Sequence, residues 1–343
     1  MPTYCGIVEG FYWREKHTIA GRYAEFDREK RKRLLELMAG KGLNIYVYDP
    51  KVLRGENCER AYSPQLVGNR RDWEDTFGVA SQNGIAFVWG LAPGRHEHWH
   101  GKLKHLQETV DYVLGLGAAG FALLFDDVPG AEMEFETVHQ AELANDLIQK
   151  YPGKICGLCS GVYCGARTEL EQKLATLDDR LDSSIDIVVT GSEVWPASIQ
   201  ATDLPRYKSN RKQIVWDNWM AYDTSDPQKL EFRPPRQRGR GLFDEINGYW
   251  LNPSFPVERM VHMITAVGEM FKRRGSVPER EEAALIERMA RDWADFLEVD
   301  RETVSKFMKL RTGKAKGHLH PEEIQPIIEK WPSLEPVLRL VTV

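Results

Sequence analysis

Eight short apolar runs recur along the chain, and helical patterns separate most of them. They occupy residues 5–11, 44–48, 85–91, 120–125, 155–159, 186–190, 213–216 and 246–251. Apolar runs without polar alternation are the pattern of strands buried on both faces, as in parallel sheets. Between them, residues 26–39, 103–116, 132–151, 168–177 and 256–271 place apolar residues at helical spacing. In the first of these, Leu34, Leu35, Leu37 and Met38 lie beneath a charged face. The stretches 57–76 and 224–244 read as longer, irregular links. Eight parallel strands with helices between them predict an α/β chain folded as a (β/α)8 TIM barrel rather than an open doubly wound sheet. No G-x-G-x-x-G follows the first run, which weakens a dinucleotide-binding reading. The eight units fill residues 1–275 of 343, close to the ~250 residues typical of such barrels. Beyond Gly275 the strand signal stops. Residues 279–297 carry Leu285, Ile286, Met289, Trp293 and Phe296 on one stripe, and 304–310 and 321–341 also read as helical. The expected organisation is a barrel catalytic domain over 1–275 and a small helical C-terminal region over 276–343.

Composition removes several function classes. A net charge of -5 gives no basic signature for nucleic acid. The basic run from Arg28 to Arg33 reads as the solvated face of a helix. No stretch approaches about 18 consecutive apolar residues, so no membrane span is expected. The start runs directly into a strand-like segment with no basic-then-apolar leader, and a cytoplasmic location is expected. Cys5, Cys58, Cys156, Cys159 and Cys164 make an odd count, which fits reduced thiols. Cys156-Gly157-Leu158-Cys159 has redox or zinc spacing. It lies inside a strand-like run with no second pair, which favours buried core cysteines.

Asp126-Asp127 closes the fourth run, and two adjacent carboxylates at a buried strand end cannot both be core residues. Each costs several kcal/mol to desolvate unless paired or solvated, on the order expected for buried charge. Consecutive strand side chains face opposite sides, so the two acids should meet different surroundings, as acid/base chemistry requires. Barrel enzymes place their chemistry at C-terminal strand ends. Those positions read Glu9-Gly10-Phe11-Tyr12-Trp13, Tyr48-Asp49-Pro50-Lys51, Gly161-Val162-Tyr163, Thr190-Gly191-Ser192-Glu193-Val194-Trp195, Trp216-Asp217-Asn218-Trp219 with Asp223, and Tyr249-Trp250-Leu251-Asn252-Pro253. Hydroxyl-binding polar groups mixed with aromatics are what a sugar site requires.

With these motifs in order, the chain resembles the O-GlcNAcase family, glycoside hydrolase family 84. The resemblance rests on Gly6-Ile7-Val8-Glu9-Gly10-Phe11-Tyr12, Tyr48-Asp49-Pro50-Lys51, Leu123-Leu124-Phe125-Asp126-Asp127, Cys159-Ser160-Gly161-Val162-Tyr163-Cys164, Thr190-Gly191, Trp216-Asp217-Asn218 and Leu251-Asn252-Pro253. It implies a retaining β-N-acetylglucosaminidase that removes β-linked N-acetylglucosamine from a glycan or glycoprotein, without a cofactor. The nucleophile would be the substrate's own acetamido oxygen, forming an oxazoline, one of the exceptions to the two-carboxylate rule. By motif match Asp126 would orient the acetamido group and offset the cationic intermediate, and Asp127 would be general acid and then base. Tyr163 would bond the acetamido group. Gly10, Lys51, Asn218, Asp223 and Asn252 would contact the sugar, and Trp216 would line its pocket. The chain departs from the family pattern at Trp13, Asp49 and Val52-Leu53-Arg54, and in about ten extra residues before Lys51. These departures concern the aglycone side, including whether the aglycone is protein or a hyaluronan-type glycan.

Gly94-Arg95-His96-Glu97-His98-Trp99-His100 permits a competing reading, a metal-dependent amidohydrolase using His96, His98, His100 and Asp126. It is disfavoured because barrel metallohydrolases draw ligands from several strand ends. Contact with substrate or solvent is the expected role of these histidines. A non-catalytic sugar-binding barrel is disfavoured because both candidate acids are present. Neither nucleic acid nor membrane is an expected partner, and the sequence does not set the oligomeric state.

Overall fold

The computed structural model describes residues 3–12, 28–51, 69–128, 130–219, 221, 231–253 and 257–342. Its centre is a closed parallel barrel, β1 to β8 in sequence order. The strands are β1 Tyr4–Tyr12, β2 Ile45–Lys51, β3 Ala86–Leu91, β4 Gly120–Leu124, β5 Ile155–Cys159, β6 Ile187–Val189, β7 Gln213–Asp217 and β8 Ile246–Leu251. β1 pairs with β8 through Cys5 and Tyr249, which closes the ring. The eight expected strands all form, with ends that shift by up to three residues.

The strand pattern sorts side chains into two cores. Val8, Ile45, Val47, Val88, Ala122, Leu124, Cys159, Val188, Ile214, Trp216 and Trp250 form one apolar cluster inside the ring. Their neighbours in sequence, among them Ile7, Tyr46, Tyr48, Phe121, Leu123, Val215 and Tyr249, pack outward beneath the helices. The period-2 geometry of a strand does this sorting. Continuous apolar runs are needed because both faces are buried.

The helices around the barrel include α1 Arg28–Gly40, α2 Arg70–Gln82, α3 His96–Trp99, α4 Leu103–Gly115, α5 Glu134–Lys150, α6 Arg167–Lys173, α7 Ala175–Arg180, α8 Leu242–Glu245 and α9 Val261–Arg273. Helix α2 corrects the sequence reading, which had an irregular link running to Thr76. Its buried residues Trp73, Thr76, Phe77 and Ala80 keep helical spacing. Polar Thr76 and the following Gly78 mask that period in the sequence. Asn69 caps the helix, accepting from the Arg71 N–H at 3.0 Å. The basic run in α1 is also not wholly a solvated face. Arg31 is buried and bonds both oxygens of Glu9 at 2.9 Å, Nε to Oε2 and Nη2 to Oε1. Removing a buried guanidinium from water requires such a bidentate carboxylate.

Helices α10 Glu279–Leu297, α11 Arg301–Arg311, α12 Pro321–Lys330 and α13 Glu335–Leu338 follow. The single helix expected over 321–341 is instead α12, α13 and short 3-10 turns, because Pro332 removes a helical N–H donor. The expected division at residues 275 and 276 falls in the turn between α9 and α10. Trp293, Phe307 and the barrel-side residues Met263 and Ile264 nevertheless belong to one continuous core. No helix among the described residues is long and apolar enough to cross a membrane.

Candidate active site

A cavity of about 280 Å³ opens at the C-terminal end of the barrel. Gly10, Asp126, Asp127, Tyr163, Trp216, Asn218 and Asn252 line it, together with Cys159, Thr190, Val194, Trp195 and Ala221. Seven of the nine residues proposed from sequence therefore share one pocket. Lys51 ends β2, where its backbone pairs with Tyr12 two positions beyond the Gly10–Asp49 pair. Asp223 lies outside the described residues.

The same period that fills the barrel builds the floor of this pocket. Gly10 continues the inward series from Val8, and Asp126 continues Ala122 and Leu124. Asn218 continues Ile214 and Trp216, Asn252 continues Trp250, and Thr190 continues Val188. Cys159, inward itself, completes the floor. Polar groups thus begin where the apolar interior ends. Asp49 belongs to the β2 inward series and is fully buried. A Cβ on Gly90 of β3 would come within 2.9 Å of the Asp49 backbone and side chain, so only glycine leaves room for it.

The two acids do differ in surroundings, but the cause is not strand alternation. β4 ends at Leu124, and the pair sits in a turn. Asp126 is 8% exposed. Asp127 takes a φ of 59°, a left-handed conformation that Asp tolerates better than most residues. That turn breaks the inward register and leaves the Asp127 side chain exposed. Its Oδ1 accepts the Tyr163 hydroxyl at 2.8 Å. Burial raises the Tyr163 pKa well above its ordinary value, and the neighbouring Asp127 carboxylate adds to the rise. The phenol is therefore a fixed proton donor across the neutral range. A Cβ on Gly161 would fall 2.2 Å from the Ala131 carbonyl carbon. Glycine there lets the loops after β4 and β5 touch, which brings Tyr163 to Asp127.

On the opposite wall the amides hold one another. Asn252 Nδ2 donates to Asn218 Oδ1 at 2.8 Å, and Asn218 Nδ2 donates to the Val194 carbonyl at 2.7 Å. Behind them lies a pair that the sequence reading did not single out. Arg238 donates to both oxygens of buried Asp217, through Nε at 2.8 Å and Nη2 at 2.9 Å. It also reaches the carbonyls of Pro196 and Ala197 at 3.2 and 2.8 Å, and Tyr249 donates to the same carboxylate. This network ties the loop after β6 to the end of β7. Asp217 has a sequence signal in the Trp-Asp-Asn segment. Arg238 has none, because it lies 21 positions away in an irregular stretch. Cys159 and Thr190 could have been found from the inward register alone.

The histidine run lies elsewhere. His96 begins α3, and its ring stacks on His139 of α5 at 3.7 Å, with His100 at 4.6 Å. His139 was not anticipated. Burial, then His139 and His100, lowers the His96 pKa. Neither His96, His100 nor His139 lines the cavity, and His100 faces solvent, the second of the two roles expected for these histidines; the His98 side chain lies outside the described residues. No group of three His, Cys, Asp or Glu among the described residues is placed to hold a metal ion.

A profile of the family described as beta-N-acetylglucosaminidase matches residues 5–308. The proteins named Protein O-GlcNAcase from Mus musculus and Rattus norvegicus are each 25% identical over 287 residues, covering 78% of this chain. The chain spans only 30% of the length of these curated relatives. The solved structure of a mutant O-GlcNAc hydrolase from Thermobaculum terrenum matches with a TM-score of 0.73 at 21% identity, over 98% of this chain and 73% of that one. At that identity the structural likeness speaks for the fold.

Proposed function

The chain belongs to the beta-N-acetylglucosaminidase family, and from that premise we propose that it hydrolyses β-linked N-acetylglucosamine by substrate assistance. The observation that carries this reading is the adjacent pair Asp126 and Asp127 in one small cavity, the first buried and the second exposed and bonded to Tyr163. At about 280 Å³ the cavity is at the small end of ligand sites, which typically span ~300–1,000 Å³. That suits one sugar ring. Trp216 offers an apolar wall, and Asn218 and Asn252 offer amides at the pocket floor.

In the proposed reaction the acetamido carbonyl oxygen attacks the anomeric carbon as the bond to the aglycone oxygen breaks. Asp127, on the open side, gives its proton to that leaving oxygen. Asp126, ionised, accepts the acetamido N–H and offsets the positive charge of the oxazolinium ion. Water then attacks the anomeric carbon, Asp127 takes its proton, and the acetamide is regenerated with retained configuration. Tyr163 would transfer its hydrogen bond from Asp127 to the acetamido oxygen when substrate enters. Lys51 and Asp223 would hold ring hydroxyls. The free thiols of Cys5, Cys159 and Cys164 support a reducing, cytoplasmic setting.

The test is release of N-acetylglucosamine from an aryl β-N-acetylglucosaminide, repeated with mono-, di- and trifluoroacetamido substrates. Each fluorine weakens the internal nucleophile, so the rate should fall steeply along the series. Rates that ignore fluorination would reject substrate assistance, and no turnover of any substrate would reject the hydrolase.

A further inference from the structure

Three large apolar side chains stand exposed among the described residues, Met133, Phe135 and Trp195. Each follows a C-terminal strand end, and Trp195 lines the cavity itself. Trp195 is 56% exposed, yet its surroundings fix it. Its indole N–H donates to the Ala221 carbonyl at 3.1 Å. The loop that bears it is held by the Thr190 hydroxyl on the Glu193 carbonyl at 2.8 Å, and by Arg238 on the carbonyls of Pro196 and Ala197. A fixed indole whose one hydrogen-bond donor is already used offers a ring face and nothing more. Because Trp195 also lines the cavity, that ring face is open to whatever lies at the pocket mouth.

The cavity suits a single sugar, so the next unit of substrate must lie at its rim, where Trp195 stands. Two observations describe that unit. A ring face is complementary to the C–H face of a pyranose. The carboxylates of Asp127, Glu132 and Glu193 are exposed on the loops after β4 and β6, and that of Glu134 at the start of α5, and such a field disfavours an anionic sugar. We infer that Trp195 is the platform of an aglycone subsite for a neutral pyranose ring. The substrate is then an uncharged glycan ending in β-linked N-acetylglucosamine. This inference rests on the hydrolase reading above.

The test compares the unsubstituted protein with Trp195→Ala and Trp195→Phe on four substrates. They are methyl β-N-acetylglucosaminide, di-N-acetylchitobiose, a serine-linked N-acetylglucosaminyl peptide, and a hyaluronan oligosaccharide ending in N-acetylglucosamine. Trp195→Ala should lower kcat/KM on the disaccharide by about tenfold, the scale of one lost ring contact, chiefly through KM. The loss on the methyl glycoside should be several times smaller. Trp195→Phe, which keeps a ring, should recover most of the loss, with all three proteins melting alike. The unsubstituted enzyme should prefer the disaccharide to the hyaluronan oligosaccharide. Equal fractional losses on every substrate, a loss confined to the glycopeptide, or preference for the anionic glycan would each overturn the subsite. Absence of turnover on the methyl glycoside by the unsubstituted protein would instead overturn the hydrolase reading, and the subsite with it.

Discussion

Asp126 and Asp127 are neighbours in sequence but occupy different regions of backbone space, and their division of labour follows from that. Asp126 keeps the inward register of β4, whereas Asp127 leaves it through its positive φ. Substitution should separate the roles. Asp127→Asn should be partly spared on substrates with acidic leaving groups, because general acid catalysis contributes about 10²–10⁴-fold and those substrates need little of it. Asp126→Asn should stay slow on all of them. A leaving-group series measured as kcat/KM checks this, and equal losses for both variants across the series would sink the assignment. Tyr163→Phe removes the hydrogen bond proposed to hold the acetamido oxygen, worth about 0.5–1.5 kcal/mol between neutral groups. It should lower kcat/KM correspondingly, while the melting temperature moves little because the hydroxyl faces the cavity. A large fall in melting temperature would instead make Tyr163 a structural residue.

The elements that carry the site are held by buried charge rather than by apolar packing alone. Arg238 is 1% exposed and Asp217 fully buried. Arg238→Met would strand the Asp217 carboxylate, and breaking a buried pair in this way costs about 3–5 kcal/mol. The double substitution Asp217→Asn with Arg238→Met should recover much of that loss. Urea unfolding of both variants beside the unsubstituted protein measures it, and an unchanged midpoint for Arg238→Met would show that the pair does not stabilise the fold. The single variant should also free the loop after β6 and raise KM. A second close contact joins the loops after β4 and β5, where Gly161→Ala would drive a methyl group into the Ala131 backbone. The expected outcome is lost activity with the barrel's circular dichroism retained.

At the scale of the whole molecule the C-terminal helices complete the core of the barrel. His262 of α9 stacks on Phe232 at 4.7 Å and lies 5.0 Å from Trp293 of α10. Its Nε2 faces the Glu231 carbonyl at 3.2 Å. Burial pushes its pKa down from 6.5 to about 3. The unfolded chain therefore binds a proton below pH 6.5 that the folded chain refuses until about pH 3. Stability should fall as the pH drops through this window, by about 2 kcal/mol between pH 6.5 and pH 5 from this group. His262→Leu should flatten that slope, and an equal slope in both proteins would remove His262 as its source. Trp293 donates to the Glu258 carbonyl at 2.6 Å, and Arg259 donates to the Ser333 carbonyl at 3.0 Å. We accordingly propose that a chain ending at residue 275 loses cooperative folding, whereas the full chain melts in one calorimetric transition. Two separated transitions in the full chain would refute this.

What the sequence determined by itself was whatever depends on local period and on residue type. Continuous apolar runs with helical spacers required a parallel barrel, and acids, amides and aromatics at the run ends marked the face that carries chemistry. The inward parity of Gly10, Asp126, Trp216, Asn218 and Asn252 follows from the same two-residue repeat. Tertiary structure alone decided what depends on partners distant in sequence. Arg31 looked solvated until Glu9 was placed against it, and helix α2 was hidden because Thr76 is buried by neighbours that its own period does not reveal. Arg238 carries no local signal, since its role exists only through Asp217 and the carbonyls after β6. The left-handed turn at Asp127 likewise owes its form to contacts between loops, which no window of the sequence contains.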